Sequence, residues 1–249
     1  MKSQVKNRLK EINREFYQKQ AEEFSETRSR PWQGWRRVKE IVEEQISKDV
    51  IDVLDIGCGN GRFGRFIEKS DNALINYVGV DSSKELVVIA SEVSDKFRVF
   101  EFDVVDGDLQ NFLRKTGFDV VVAFGLMHHI PGRDERLKLL AQWSKLLSED
   151  GLMAVSFWQF DQDEKIVKRT LSEEDVAKTL DVQQESSGLE KGDYLMCWGG
   201  NKKNIRYCHS FSDEEVKRLI EELALELVEE YQADGNNCKL NKYVVLRKK

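Results

Sequence analysis

The segment VLDIGCGNGRFGRF, residues 53–66, combines an acid with alternating glycines in the arrangement of a ligand-binding loop. An apolar run ends at Asp55, and Gly57, Gly59 and Gly61 occupy every second position after it. A strand, a glycine-rich turn and a helix N-terminus bring a ligand close to bare backbone. The segment therefore predicts a loop that holds a ligand against the main chain.

The spacing of the glycines and the nearby acid indicate the kind of ligand. A dinucleotide-binding loop reads G-x-G-x-x-G, and its third glycine would fall on Arg62. The G-K-[ST] sequence of a phosphate-binding P-loop is absent. Asp55 is unfavourable beside a pyrophosphate and favourable beside an ammonium group. The loop therefore favours a ligand with a cationic amino-acid end.

Two further acids end the apolar runs that follow. Asp81 lies 20 residues after Gly61, where a carboxylate can accept hydrogen bonds from both ribose hydroxyls. Asp103 ends the next run and is placed to accept from an adenine amino group. One acid at a strand end is most simply a helix cap or a solvated turn. Three acids at successive strand ends beside the glycine loop indicate a nucleoside ligand.

Hydrophobic periodicity predicts alternating strands and helices that would position these residues. The predicted strands are VIDVLDIG, LINYVGVD, FRVFEFDV, FDVVVAFG, GLMAVSFW, LELVEEYQAD and NKYVVLRK. The run ERLKLLAQWSKLLSEDG predicts an amphipathic helix that ends at Gly151. Five β-α units and a terminal strand pair imply an α/β fold with one doubly wound, seven-stranded sheet, mainly parallel with an antiparallel last strand.

Two parts of the chain stand outside this alternation. Residues 1–48 predict a helical N-terminal extension, and residues 158–210 predict a substrate-side insertion after the fifth strand, with a short helix near LSEEDVAKTL. The length of 249 residues suits one domain with two accessory segments. We therefore expect a single domain over residues 1–249.

Composition limits the functional class. No run approaches the roughly 18 apolar residues that would span a bilayer, and the N-terminus lacks a signal-peptide core, so we expect a cytoplasmic protein without a membrane partner. Four scattered cysteines and three histidines, without a C-x-x-C pair, predict no metal site. The net charge is −6, but basic residues concentrate in segments 28–39, 201–209 and 239–249.

The segment DIGCGNG resembles the signature of the class I S-adenosylmethionine-dependent methyltransferases, and the similarity covers roughly residues 50–160 and 210 onwards. The resemblance implies S-adenosyl-L-methionine as the cofactor and a Rossmann-like fold. It places the methionine end at Asp55, Gly57, Cys58, Gly59, Asn60 and Gly61, the ribose at Asp81 and Ser82, the adenine at Asp103 and Val104, and the methyl-transfer side at Phe124 and Gly125. Cys58 itself is most simply a small residue in a tight loop.

Three other stretches resemble the wobble-uridine tRNA methyltransferases and the methyltransferase domain of the AlkB-type tRNA hydroxylase. They are FSETRSRPW in the extension, LMHHIPGRD after the fourth strand and RYCHSF before the last helix. The resemblance implies methyl esterification of the 5-carboxymethyl group of wobble uridine, a tRNA anticodon stem-loop as partner and a small zinc-binding activator subunit, as in eukaryotic members. Residues 160–200 follow no family pattern.

These stretches supply the candidate acceptor residues. A carboxylate is ionised at neutral pH, so its methylation requires anchoring and desolvation rather than a general base. The candidate catalytic residues are His128, Arg28 and Arg206, with His129 as a second anchor, and the candidate substrate-binding residues are Arg30, Trp32, His129, Tyr207 and His209.

Each candidate also has a structural explanation, because the histidines can pack a loop, the arginines can be solvated and the tryptophans can lie in the core. Two alternative functions remain open at this point. The chain can be a methyltransferase of a small acidic metabolite, or a cofactor-binding subunit without catalysis.

Overall fold

A computed structural model describes residues 1–28, 30–70, 72–182, 188–199 and 201–248, with the backbone alone for residues 201–203. The helices are α1 (Ser3–Glu26), α2 (Gly34–Gln45), α3 (Arg62–Ile67), α4 (Lys84–Ser91), α5 (Leu109–Leu113), α6 (Arg133–Ser144), α7 (Glu164–Val167), α8 (Glu173–Leu180) and α9 (Asp213–Glu221). The strands are β1 (Val50–Ile56), β2 (Leu74–Asp81), β3 (Arg98–Glu101), β4 (Phe118–Ala123), β5 (Leu147–Trp158), β6 (Asp193–Trp198), β7 (Asn201–His209), β8 (Leu225–Ala233) and β9 (Asn241–Lys248).

Seven strands form one sheet in the order β3-β2-β1-β4-β5-β9-β8. Strands β1 to β5 pair in parallel, and β9 runs antiparallel between β5 and β8. This order confirms the predicted α/β fold, mainly parallel with an antiparallel last strand. The strand order reverses between β1 and β4, and the crevice at such a switch point is where doubly wound sheets bind ligands.

Apolar layers cover both faces of this sheet. All six residues of β4 are buried, as expected for a central parallel strand. One face packs against α6 and α9, including Trp143 and Leu219, and the other against α2 and α3, including Trp35 and Phe63. The carboxyl ends of β1, β2 and β4 are therefore held at one rigid edge.

The predicted helix over ERLKLLAQWSKLLSEDG is shorter than expected. It ends at Ser144, and β5 already begins at Leu147. The backbone N–H groups of Gly117 and Phe118 both donate to Leu146 O, which turns the chain into the sheet before Gly151 is reached.

The N-terminal extension and the insertion pack on each other. The insertion contains α7, α8 and a separate antiparallel hairpin of β6 and β7. An apolar cluster joins α1 to the insertion through Leu9, Ile12, Leu180, Leu195 and Tyr207. The two accessory segments thus form one cover beside the sheet edge.

Within the ranges described, no helix combines the length and apolarity that crossing a bilayer demands.

Asn13 of α1 ties this cover together through polar contacts. Its side-chain oxygen accepts from Tyr207 N at 2.8 Å, its amide nitrogen donates to His129 O at 3.2 Å, and the residue is 7% exposed. Asn13→Ala is expected to lower the free energy of unfolding by about 1–3 kcal/mol, because a buried N–H group loses its acceptor. Urea denaturation measures the change.

Gln18→Ala provides the matched control on the same helix. Gln18 is exposed, so its replacement should change the free energy of unfolding by less than about 0.5 kcal/mol. Equal effects of the two substitutions would contradict the bridging role of Asn13.

Candidate active site

A cavity of about 750 Å³ opens at the carboxyl ends of β1, β2 and β4. We call it the central cavity; its volume is typical of small-molecule sites, which run from about 300 to 1,000 Å³. Most residues that the sequence singles out line it: Arg28, Arg30, Trp32, Asp55, Gly57, Cys58, Gly59, Asn60, Asp81, Ser82, Asp103, Phe124, Gly125, His128, His129 and Arg206. Its lining does not include Gly61, Val104, Tyr207 or His209.

The glycine loop turns bare backbone toward the cavity. Gly57 has φ of +72°, and a Cβ there would lie 3.1 Å from the Leu126 side chain. Gly59 has φ of +54°, and a Cβ on it would meet no atom within 4 Å. The open space at Gly59 is a cradle in which a ligand can approach the main chain.

Asp55 lies buried at the base of this loop. Its Oδ2 accepts a hydrogen bond from the Tyr77 hydroxyl at 2.6 Å, and the residue is 2% exposed. Burial raises the pKa of Asp55 to about 7, although the Tyr77 hydrogen bond opposes the shift. A ligand ammonium would favour the ionised carboxylate, so this site fits the amino-acid end of S-adenosylmethionine.

Asp81 fixes the loop and remains able to accept further hydrogen bonds. Its Oδ2 accepts from Gly59 N at 2.8 Å and its Oδ1 from Ser83 N at 2.9 Å. A carboxylate has about four acceptor sites, so Asp81 can still accept from a ribose hydroxyl. Ser82 lies beside it in the cavity lining.

Asp103 already has a cationic partner. Its Oδ2 accepts from Arg14 Nε at 2.9 Å and Arg14 Nη2 at 2.7 Å, and its Oδ1 accepts from Val105 N at 2.9 Å. The Val104 side chain packs in the core, whereas Val105 lines the cavity. The end of the cavity at Asp103 is therefore closed by α1, in a way that the acid alone did not predict.

The extension is also fastened to the glycine loop. Asn60 Nδ2 donates to Ser25 Oγ at 3.0 Å and to Arg28 O at 3.2 Å. Arg62 Nη1 donates to Arg30 O at 2.8 Å. Two side chains of the loop thus hold the segment that follows α1.

Arg28 and Arg206, which we call the arginine pair, lie among aromatic rings at the other end of the cavity. The guanidinium carbon of Arg28 lies 3.7 Å from the Phe24 ring centroid, and that of Arg206 lies 5.0 Å from Trp198 and 5.5 Å from Trp158. Arg206 is 7% exposed. No carboxylate in the described part of the chain forms an ion pair with either arginine.

The arginine pair remains cationic at neutral pH. Burial lowers the pKa of Arg28 to about 10, and the positive charge of Arg206 contributes to this decrease. Two cations near each other without a carboxylate partner make this end of the cavity suitable for an anion.

The two histidines are neutral groups rather than cationic anchors. Burial holds the pKa of His128 well below its usual value, and its Nδ1 has no hydrogen-bond partner. Burial lowers the pKa of His129 to about 3. His129 Nδ1 faces Tyr207 O at 3.0 Å, so this nitrogen donates and Nε2 accepts from the Tyr17 hydroxyl at 2.6 Å.

Tyr207 and His209 require a correction, because they do not face the cavity. Alternate residues of β7 point to opposite sides, and these two point away from the side that Arg206 occupies. The Tyr207 hydroxyl donates to Asp193 at 2.7 Å, while His209 contacts Asp193 at 2.6 Å and Glu215 at 2.8 Å. Both residues therefore hold the hairpin in place instead of contacting substrate.

The buried network around His209 favours its protonated form. Burial lowers the pKa of His209, but the hydrogen bonds to Asp193 and Glu215 raise this pKa above its usual value. Arg136, fully buried, adds ion pairs to Glu215 at 2.8 Å and Glu190 at 3.4 Å. The network connects the hairpin to α6 and α9.

Several cavity residues received no role from their sequence pattern. They are Lys10, Asn13, Arg14, Trp158 and Trp198. The spacing of Lys10, Asn13, Arg14 and Tyr17 at i, i+3, i+4 and i+7 puts them on one face of α1, a signal available in the sequence.

A cluster of possible metal ligands lies beside the arginine pair. One nitrogen each of His128 and His129 and the sulfur of Cys208 lie within 4.8 Å of one another. Burial raises the pKa of the Cys208 thiol to about 11, and the neighbouring guanidinium groups repel a cation. The cluster therefore does not suit a metal ion.

Residues 54–153 match the family model of the methyltransferase domain. The chain is 29% identical over 146 residues to the probable tRNA methyltransferase 9B of Homo sapiens, covering 59% of this chain and 29% of that protein. It is 27% identical to the tRNA (carboxymethyluridine(34)-5-O)-methyltransferase of Schizosaccharomyces pombe, covering 83% and 85%. It is 31% identical to the trans-aconitate 2-methyltransferase of Mycobacterium tuberculosis, covering 53% and 44%.

A solved S-adenosylmethionine-dependent methyltransferase from Methanosarcina mazei has the same fold, with a TM-score of 0.63 at 16% identity over 84% of this chain and 96% of that one. The chain spans less than a third of the human relative's length. Residues 54–153 thus match a methyltransferase domain, and the fold is that of a solved S-adenosylmethionine-dependent methyltransferase.

The raised pKa of Asp55 predicts a pH dependence of cofactor binding. Below about pH 7 the Asp55 carboxyl group holds a proton, which must leave when the ligand ammonium binds. The affinity for the cofactor should therefore increase by up to about tenfold for each unit of increasing pH, and it should become constant above about pH 7. Isothermal titration with S-adenosylhomocysteine, which keeps the amino-acid end, measures it. In Asp55→Asn, affinity should be lower and the slope absent; a flat wild-type profile contradicts the assignment.

The same pKa predicts the sign of a stability effect in the ligand-free protein. The pKa of Asp55 in the folded state exceeds the value of 3.8 in the unfolded state. The stabilisation of the folded protein by protonated Asp55 is therefore complete at acidic pH and is lost as the pH rises through about 7. Urea denaturation of the ligand-free protein across this pH range measures the effect.

Proposed function

We propose that this methyltransferase esterifies a carboxylate, and that its substrate is the 5-carboxymethyl group of wobble uridine in tRNA. The observation that carries the proposal is the arginine pair in the central cavity, in which Arg206 is buried, Arg28 is partly buried and neither has a carboxylate partner in the described chain. Guanidinium groups bind carboxylates through paired hydrogen bonds. The arginine pair is therefore suited to hold an acidic acceptor.

Unpaired polar atoms around the arginine pair support an anionic ligand. His128 Nδ1, Trp198 Nε1 and Arg206 Nε are buried without hydrogen-bond partners among the residues that the structure describes. Most buried polar groups in proteins are hydrogen-bonded, so three such atoms at one end of a cavity indicate a missing ligand rich in acceptors. A carboxylate provides such acceptors.

The chemistry of ester formation suits this surrounding. S-adenosylmethionine supplies an electrophilic methyl group, and transfer breaks its S–C bond while an O–C bond forms to the carboxylate. Phe24, Trp158 and Trp198 exclude water from the acceptor, which removes its hydration shell. The arginine pair orients one carboxylate oxygen, and no residue needs to remove a proton because the acceptor is already ionised.

The choice of tRNA rests on the resemblance and on the relatives named for tRNA methylation. At the cavity mouth, Arg30 is exposed and lines the opening, and Arg36 is exposed on α2. Such cations suit contacts with phosphates of an anticodon stem-loop. In the basic segment 28–39 we therefore assign Arg30 and Arg36 to RNA contact, whereas Arg37 is paired with Glu229 at 2.8 Å.

The other two basic segments contribute less than the sequence suggested. Residues 241–248 form β9 inside the sheet, where Lys242 pairs with Asp213 at 3.1 Å and Lys248 with Glu149 at 3.0 Å. In segment 201–209, Arg206 is buried, and the side chains of residues 201–203 lie outside the described structure, as does Lys249.

A small zinc-binding activator subunit remains part of the proposal. Strand β3 forms the edge of the sheet with four residues, and Phe112 beside it is 42% exposed. We assign this edge to the activator, because an edge strand can pair with another chain.

A small acidic metabolite is the second candidate. The trans-aconitate methyltransferase of Mycobacterium tuberculosis is a relative over 133 residues, and an anion site inside a cavity suits a free acid equally well. The chemistry is the same, so the two candidates differ only in what carries the carboxylate.

Methyl transfer from labelled S-adenosylmethionine into tRNA, with and without the activator, tests the proposal. Mild alkali releases the label of a methyl ester as methanol, whereas methyl groups on nitrogen, carbon or ribose are retained. Alkali-labile label in tRNA is the expected result. Alkali-stable label contradicts the carboxylate acceptor, and label in small acids but in no tRNA favours the metabolite.

Arg206→Gln separates the arginine pair from general RNA attraction. It should lower kcat/KM for tRNA methylation by about 30-fold or more, because the substitution removes a buried ion-pair donor, and leave S-adenosylhomocysteine affinity unchanged. The salt dependence of tRNA binding should stay the same, since this guanidinium is not on the surface.

Arg30→Gln is the matched control, because Arg30 is exposed at the mouth. It should reduce the slope of log affinity against log salt by roughly 0.7–0.9 for each phosphate that the arginine neutralises. The opposite pattern, a salt effect for Arg206 and none for Arg30, would contradict the assignment.

A further inference from the structure

Arg62 lines the central cavity at the glycine loop, besides helping to hold the segment that follows α1. It is the first residue of α3, directly after Gly61. Its guanidinium carbon lies 5.3 Å from the Trp32 ring and 5.2 Å from the Trp35 ring. One nitrogen, Nη1, donates to Arg30 O at 2.8 Å. Of the five N–H donors of a guanidinium, most are therefore not used by the protein contacts described.

The charge of Arg62 has no partner in direct contact. No carboxylate of the described residues forms an ion pair with it, although burial lowers the pKa of Arg62 only to about 10, so that it stays cationic. Asp234 acts on Arg62 electrostatically. The Asp234 carboxylate already accepts hydrogen bonds from Gly34 N at 3.2 Å, the Tyr243 hydroxyl at 2.6 Å and the Asn241 side chain at 2.9 Å. A half-buried cation is thus available to a ligand.

Asp55 supplies the opposite charge at the same loop. Arg62 acts on it electrostatically and lowers its pKa, against the larger effect of burial. The methionine end of the cofactor bears an ammonium and a carboxylate on one carbon atom. A buried carboxyl group and a free guanidinium at the two ends of one glycine loop are complementary to that pair of charges.

We infer that Arg62 binds the α-carboxylate of S-adenosylmethionine, while Asp55 accepts from its α-ammonium group. Planar guanidinium donors match a carboxylate in two parallel hydrogen bonds. Trp32 and Trp35 hold the guanidinium in place and keep water from one side of it. Arg62 is therefore a cofactor-binding residue that recognises the carboxylate.

Two other roles compete for this side chain. Arg62 acts on Arg28 electrostatically, so Arg62 can instead help to bind the anionic methyl acceptor. It can also serve only to pack the two tryptophans and hold Arg30. The location at the glycine loop favours the cofactor, because the arginine pair shares Trp198 rather than Trp32 and Trp35.

Decarboxylated S-adenosylmethionine lacks only the group that Arg62 is inferred to bind. Isothermal titration compares S-adenosylmethionine with this analogue on the wild type and on Arg62→Gln, without RNA. Arg62→Gln should weaken S-adenosylmethionine roughly 10- to 100-fold, the usual range for a hydrogen bond to a charged group, and leave the analogue within about 3-fold. Arg65→Gln, exposed on the same helix, should change neither.

Equal weakening of both ligands would show that Arg62 only maintains the loop, and no weakening of S-adenosylmethionine would assign Arg62 elsewhere; either result overturns the inference. If Arg62→Gln does not fold, Arg62→Lys allows the same comparison of the two ligands. Because no tRNA is present, these outcomes do not depend on whether the chain methylates tRNA.

Discussion

Two cations, one buried and one partly buried, without a carboxylate partner among the described residues are the constraint on which one end of the central cavity depends. Taking a charge out of water costs several kcal/mol unless it is paired. The rings that face the arginine pair offset part of that cost through cation–π contacts. The rest must be offset by the packing of α1 on the hairpin, so this end of the cavity is stabilised by contacts outside it.

The hairpin can hold Arg206 in the cavity only because its other side is firmly attached. Along β7 the residues alternate, and the one after Arg206 contributes to the buried network of Asp193 and Arg136. That network satisfies its own charges, so it needs no ligand and keeps its shape. The neutral His129 is hydrogen-bonded to both α1 and β7, and it thereby links the two accessory segments.

The parts of the site that are local in sequence could be predicted, and the parts made by distant segments could not. Asp55 and Asp81 follow apolar runs directly, so strand periodicity alone put them at the sheet edge. The partner of Asp103 is Arg14, 89 positions away, and no local pattern encodes such a pair. The hairpin strands were missed because NKKNIRYCH is polar and basic, and without a strand there was no reason to put Tyr207 and His209 on the face opposite Arg206.

The hydrogen bonds from Asn60 to Ser25 and Arg28 have a consequence for engineering this protein. They join the glycine loop to Arg28, which we propose to hold the acceptor, although 32 positions separate Asn60 from Arg28 along the chain. A chimera that exchanges the N-terminal extension to change acceptor specificity would separate the two sides of this connection. Transplanting residues 1–48 together with the loop at 57–62 would preserve the alignment between donor and acceptor, whereas moving either piece alone would not.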